Sequence, residues 1–202
     1  MSPRLVPVLV AAGLALVAAA CASGGEPALG PTIPPADDAG PPVVFVALGG
    51  DETLGQGLDD QLRQSWPQVL LRDGLPRRAV HVNLASPGAT AAQARAAQVP
   101  AALEVDPTLA TVWLGGGDAR VGTSPAAYRR GLDAVVAPLA EAGARVLVVL
   151  GPAAAGAGYD GATAGVVEGR GATLVDLRTL DPALDAAAHR QVATAVAEAA
   201  AG

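Results

Sequence analysis

Lysine is absent from this chain: all 13 cationic side chains among its 202 residues are arginine. That absence excludes a phosphate-loop lysine and a Schiff-base lysine. With a formal charge of -6 and a pI near 4.8, it also argues against a polybasic surface, so no nucleic-acid partner is expected. Aromatic residues make up only 2% of the chain, which leaves few rings to stack on bases or sugars. Packing must rest on Ala, Val and Leu. The single cysteine, Cys21, cannot form an internal disulfide. One cysteine and two histidines cannot close a structural zinc site of four thiolate or imidazole ligands, and no cofactor is expected.

What is present begins with an address. Arg4 is followed by an uncharged apolar run over 5–20 that ends in small residues before Cys21, the pattern of an export signal. The run is short for a membrane span, which needs about 20 apolar residues. Ala18-Ala19-Ala20-Cys21 resembles a bacterial lipobox, although Ala18 stands where leucine is preferred. The resemblance implies lipidation of Cys21, with the membrane as partner and the protein on its extracytoplasmic face. A secretory signal cut after one of the alanines and an uncleaved anchor are the alternatives. Residues 22–41, with Gly24-Gly25 and Pro34-Pro35, form a Pro/Gly-rich tether. The chain thus divides into 1–21 (signal and lipobox), 22–41 (tether) and 42–202 (one folded domain).

From residue 43 onward, short apolar runs alternate with amphipathic stretches. Strands are expected over 43–48, 80–84, 109–114, 145–150 and 173–177, and helices over 59–71, 91–103, 124–142, 160–168 and 184–200. Pro67, Pro100 and Pro138 should bend or break the helices that contain them. Alternation of this length implies a three-layer α/β/α domain around a five-stranded parallel sheet. Ligands in such sheets sit beyond the carboxyl ends of the strands. Those ends fall at 49–57, 85–90, 115–123, 151–160 and 178–189.

Three blocks at these strand ends carry a family resemblance. Gly49-Gly50-Asp51-Glu52-Thr53-Leu54-Gly55 follows the first strand, His81-Val82-Asn83-Leu84-Ala85-Ser86-Pro87-Gly88 covers the second strand's end and its loop, and Trp113-Leu114-Gly115-Gly116-Gly117-Asp118 covers the third strand's end and its loop. In that order they resemble the signature blocks of SGNH (GDSL-type) hydrolases. The resemblance covers about 43–200 and implies a flavodoxin-like sheet and, as the family's activity, hydrolysis of carboxylic (acyl) esters. It also implies what should stand at each position. The family's nucleophilic serine falls on Glu52, or on Asp51 if the glycine alignment moves by one. Gly88 matches the oxyanion glycine, and Gly117 replaces the oxyanion asparagine ahead of the retained Asp118. The catalytic histidine falls on Ala183 or on Leu184, depending on whether it is counted from His189 or Asp181. The expectation is therefore a weakly active or inactive pseudohydrolase. Its old substrate cleft, with Gly88, Gly115, Gly116, Gly117 and Asp118, is expected to be enlarged by glycine at 117 and able to hold an acyl-ester or glycan ligand.

Other readings of the same residues stand beside this one. Asp51, Glu52 and Asp118 would converge at strand ends and offer oxygen ligands to a hard divalent cation, or they accept backbone N–H bonds in turns. His189 could replace the missing base with Asp185 as its orienter, or pack within its helix. His81 sits inside a strand and reads as structural. Trp66 and Trp113 read as core. A receiver domain would need a lysine after the fifth strand and is excluded, and the glycines at 49–57 match a dinucleotide loop poorly.

Overall fold

A computed structural model of the protein describes residues 42–202. The expected export signal, Cys21 and the tether lie outside the described residues. Five parallel strands, β1 (Val44–Gly49), β2 (Val80–Asn83), β3 (Leu109–Trp113), β4 (Arg145–Leu150) and β5 (Thr173–Asp176), form one sheet in the order β2-β1-β3-β4-β5. This is the doubly wound, flavodoxin-like order that the family resemblance implies. The register sets Gly49 beside Trp113 and Ala47 beside Asn83, so β1 and β3 end at the same height.

Apolar runs form these strands because both faces of the sheet are covered. In β1, Val46 and Leu48 face one core with Val112, Val148 and Leu132, while Phe45 and Ala47 face the other with Trp113, Leu147 and Val192. The first core is closed by α7 (Pro125–Glu141) and α9 (Asp160–Arg170), the second by α3 (Trp66–Val69) and α10 (Ala186–Ala201). The few aromatic rings are all spent here: Phe45, Trp66, Trp113, Tyr128 and Tyr159 are all buried. Each fully buried large apolar side chain contributes about 1.5–3 kcal/mol relative to exposure.

The proline expectations divide. Pro67 does split its helix, lying in the first turn of α3 after the shorter α2 (Gln61–Gln64). Pro100 does not break its segment, which runs helically over 91–103 as α4 (Ala91–Gln93), a π turn (Ala94–Gln98) and α5 (Val99–Leu103). The wider turn changes the hydrogen-bonding step just before the proline, which then occupies a first-turn position where its missing N–H is tolerated. Three short helices escaped the sequence reading: α1 (Asp51–Leu54), α6 (Gly116–Arg120) and α8 (Pro152–Gly156). Each directly follows a strand, and one or two turns are too short for a helical period to show. Among the described residues no helix is long and apolar enough to cross a membrane.

Candidate functional site

Beyond the carboxyl ends of β1 and β3, where the sheet order reverses, lies a cleft of about 210 Å3. Its walls come from four of the five expected strand-end segments, including Asp51 and Glu52, Arg120, Pro152, and Leu184 with His189. The fifth segment, 85–90, does not line the cleft, but its Gly88 N–H reaches Asp51. Gln98, which in the sequence reads as one more polar helical residue, fixes the floor. It is buried, accepts from the Gly49 N–H over 2.9 Å and donates to the Gly49 carbonyl over 2.9 Å and to Ser86 Oγ over 3.1 Å.

Asp51 opens α1, and its carboxylate is fully engaged. The Gly88 N–H donates to Oδ1 over 2.6 Å, and Arg120 Nη2 donates to Oδ2 over 2.6 Å. Gly88 has φ +64°, which glycine adopts without strain. Arg120 was not singled out from the sequence, and its only signal there was a cation inside the third strand-end segment. Of the two residues that could stand at the family's serine position, Asp51 is the one that reaches Gly88. The Glu52 carboxylate instead lies against Gly116, where an added Cβ would collide with Oε1. Burial raises the Glu52 pKa above the ordinary carboxylate value, and the neighbouring Asp51 adds to this. Its own backbone N–H and the charge of Arg120 oppose the rise.

Two expectations fail at β3. Gly117 does not enlarge the cleft: an added Cβ there would meet the carbonyl oxygens of Gly88 and Ala89, so backbone has moved into that space. Nor do Asp51, Glu52 and Asp118 converge on a cation. Asp118 is buried and accepts from the Ala91 N–H over 2.8 Å at the start of α4, while Asp51 is paired with Arg120. Among the described residues no group of three or more His, Cys, Asp or Glu side chains could hold a metal ion. Gly115, with φ +111°, turns the chain tightly enough that an added Cβ would press on Ala154.

Ala183 and Leu184 both line the cleft. Leu184 holds φ +47° and packs against the core that contains Trp113, a backbone conformation costly for a leucine. Asp181 accepts from the Ala183 N–H. Asp185 does not orient His189: it caps α10, accepting from the Ala187 and Ala188 N–H groups over 2.9 and 2.8 Å. His189 is fully buried, and its Nδ1 accepts from the Trp66 N–H over 3.1 Å. An imidazole nitrogen that accepts carries no proton, so the neutral ring carries its proton on Nε2. That nitrogen has no partner in the protein. Burial lowers the His189 pKa, against the pull of Asp185. With its proton on Nε2 and its Nδ1 lone pair engaged by Trp66, the fully buried His189 cannot serve as a base in this tautomer. His81, in β2, stacks on Phe45 at 4.7 Å and lies away from the cleft.

The model of the GDSL-like Lipase/Acylhydrolase family matches residues 47–201. Among solved structures, the chain is similar to a G-D-S-L family protein from Desulfitobacterium hafniense DCB-2, with TM-score 0.67 and 15% identity over 78% of this chain and 99% of that one. It is similar to the psychrotrophic esterase EstA from Pseudoalteromonas sp., with TM-score 0.62 and 18% identity over 78% and 96% of the two chains. A third similar structure is AlinE4, an SGNH-hydrolase family esterase, with TM-score 0.58 and 28% identity over 67% and 76%. No curated protein matches the chain.

Proposed function

This chain belongs to the GDSL-like lipase/acylhydrolase family, and we propose that it is a pseudohydrolase of that family, without serine-dependent esterase turnover. The observation that carries this reading is the pairing of Asp51 with both the Gly88 N–H and Arg120. A side chain at the nucleophile's place is thereby held by the backbone donor that an oxyanion would need. A carboxylate attacking an ester would give an anhydride and still require a base for turnover. His189 offers a proton on Nε2 rather than a lone pair, and Leu184 carries no titratable group. Loss of a triad nucleophile or base costs on the order of a million-fold in rate, and these losses do not add. Loss of one oxyanion donor costs about 100- to 1000-fold.

The test is hydrolysis of short-chain p-nitrophenyl esters by the purified protein. The expected result is a rate equal to that of buffer alone, and turnover that survives Asp51→Ala and Glu52→Ala would overturn the reading. Restoring the family's chemistry requires Asp51→Ser with Leu184→His. Gly117→Asn is excluded from that restoration because its Cβ would run into the Gly88 and Ala89 carbonyls.

The reading extends to place. Cys21 after an apolar leader supports a lipid anchor on the extracytoplasmic face of a bacterial membrane, with residues 22–41 as a leash. Cys21→Ala is expected to release the protein from the membrane fraction, and unchanged membrane association would refute the anchor. A second reading, ligand binding without turnover, is favoured by the cleft that persists beyond β1 and β3. Stabilisation by acyl esters or cell-wall glycans in thermal shift would support it; the absence of any shift would count against both ligand classes.

A further inference from the structure

At the amino ends of the strands, opposite the cleft, lies an apolar hollow of about 460 Å3 whose walls include Pro42, Val43, Leu75, Leu109, Ala200 and Arg145. Arg145 is exposed and caps the end of α10, its Nη2 donating to the Ala199 carbonyl over 2.8 Å. Beside the hollow a turn carries two more cations. The Ala79 N–H donates to the Pro76 carbonyl over 2.8 Å, which puts Arg77 and Arg78 at the two central positions of the turn, both exposed. Val80 follows at the start of the edge strand β2 and is 55% exposed. The chain as a whole is acidic, yet no Asp or Glu occurs from 74 to 103. Glu104 and Asp106 stand on the β3 flank and Asp73 is paired with Arg72, so cationic and apolar character concentrates where β1 and β2 begin.

We propose that this end of the domain docks on an anionic lipid bilayer, setting the hollow, Val80 and Arg77 against the membrane surface. Two observations select that partner. The chain enters the domain here, because Pro42, the first described residue, is itself part of the hollow's wall. The proposal rests on the lipid anchor at Cys21 inferred above. A leash over 22–41 reaches at most about 70 Å at ~3.3–3.6 Å per residue, which keeps the domain at high effective concentration beside the bilayer, so a weak face is enough to orient it. The second observation is chemical: arginines beside exposed apolar side chains match anionic headgroups over hydrocarbon. Docking also decides where the cleft points. β1 is 6 residues long, about 20 Å at ~3.3 Å per residue, and the cleft lies beyond its far end. The cleft then faces away from the bilayer and takes its ligand from the aqueous side, with phospholipid of the docked membrane out of its reach.

The experiment places the full chain on vesicles of phosphatidylcholine with about 30% phosphatidylglycerol and modifies it with phenylglyoxal, an arginine reagent for which no lysine competes in this chain. Sedimentation with the vesicles reads attachment, and the modification rate at each arginine, followed by mass spectrometry, reads the docked face. Arg77 and Arg145 are expected to react at least about fivefold more slowly than in solution, the factor one surface cation implies. Arg120 at the cleft and Arg130 on α7 should keep their rates. Vesicles of phosphatidylcholine alone should remove most of the protection. Arg77→Gln with Val80→Ser should return Arg145 to its solution rate while the protein still sediments. Equal slowing at all four arginines, or equal protection on neutral and anionic vesicles, would overturn the proposal. Slowing of Arg77 in concentrated protein without vesicles would also overturn it, by placing a second copy of the chain on the hollow. The anchor is judged separately. A protein that sediments with Arg77 unprotected refutes docking alone, protection that persists in Cys21→Ala sustains docking without the anchor, and absence of both sedimentation and protection refutes both.

Discussion

Glu52 sits in a wall that strips water from its carboxylate, and the folded protein bears that cost whenever the group is ionised. Its folded pKa lies above the unfolded value, so the folded state binds more protons and stability falls as pH rises through the folded pKa. Glu52→Gln is therefore expected to raise the melting temperature at pH 7, with the gain closing as pH falls below the unfolded carboxylate range. Equal melting temperatures at pH 7 would show that water reaches the carboxylate. Gly117 makes the opposite case, since every other side chain at that position would meet the Gly88 and Ala89 carbonyls. Gly117→Ala is expected to cost about 1–3 kcal/mol, the usual range for overpacking, and urea unfolding measures it. From sequence, glycine at 117 reads as a lost side chain and a larger cleft. The backbone that fills the space comes from the loop after β2, and no pattern within 115–118 encodes how closely that loop approaches.

At the scale of the element, the strands and the long helices were legible because each one carries its own periodicity. β4 spans Arg145–Leu150 as its apolar run indicates, and α7 begins at the Ser124 cap, whose Oγ accepts from the Ala127 N–H. The site is built where periodicity gives out. The one-turn helices α1 and α6 carry Asp51, Glu52 and Arg120, and the contacts among them join residues 69 positions apart in sequence. α10 shows both sides of this. Its apolar stripe predicts a helix, but the start moves from 184 to Ala186 because Leu184 takes a positive φ and Asp185 becomes the cap. The spacing of Asp185 and His189 suggested a catalytic pair, yet a carboxylate that caps its helix through two amides is not free to orient an imidazole. Asp185→Ala is expected to cost about 1 kcal/mol, lowering the melting temperature by about 2–4 °C for a domain of this size. The His189 Nε2 resonance should stay in place in that variant, and its displacement would restore Asp185 as an orienter.

Across the whole molecule, the two histidines belong to one face of the sheet. His81 stacks on Phe45, Phe45 packs against Trp66 at 6.3 Å, and the Trp66 N–H donates to His189. Burial lowers both pKa values, that of His81 to about 4 from 6.5. A histidine whose folded pKa is depressed adds stability that is fully present above the unfolded value and lost as pH falls through the folded one. Between pH 6.5 and 4 the unfolded chain takes up protons that the folded chain refuses, and protonating His189 at Nδ1 would also break its bond to Trp66. The face closed by α3 and α10 should thus weaken in mild acid. Glu52 acts in the opposite direction, because its burial cost is relieved over the same descent. The two contributions separate by substitution: the acid loss of melting temperature should be shallower in His81→Phe and steeper in Glu52→Gln than in the natural protein. If His81→Phe leaves the acid limb unchanged, His81 is solvated in the folded state and the loss belongs to His189 and the carboxylates. If Glu52→Gln fails to steepen it, water reaches the Glu52 carboxylate in the folded state and burial does not set its titration.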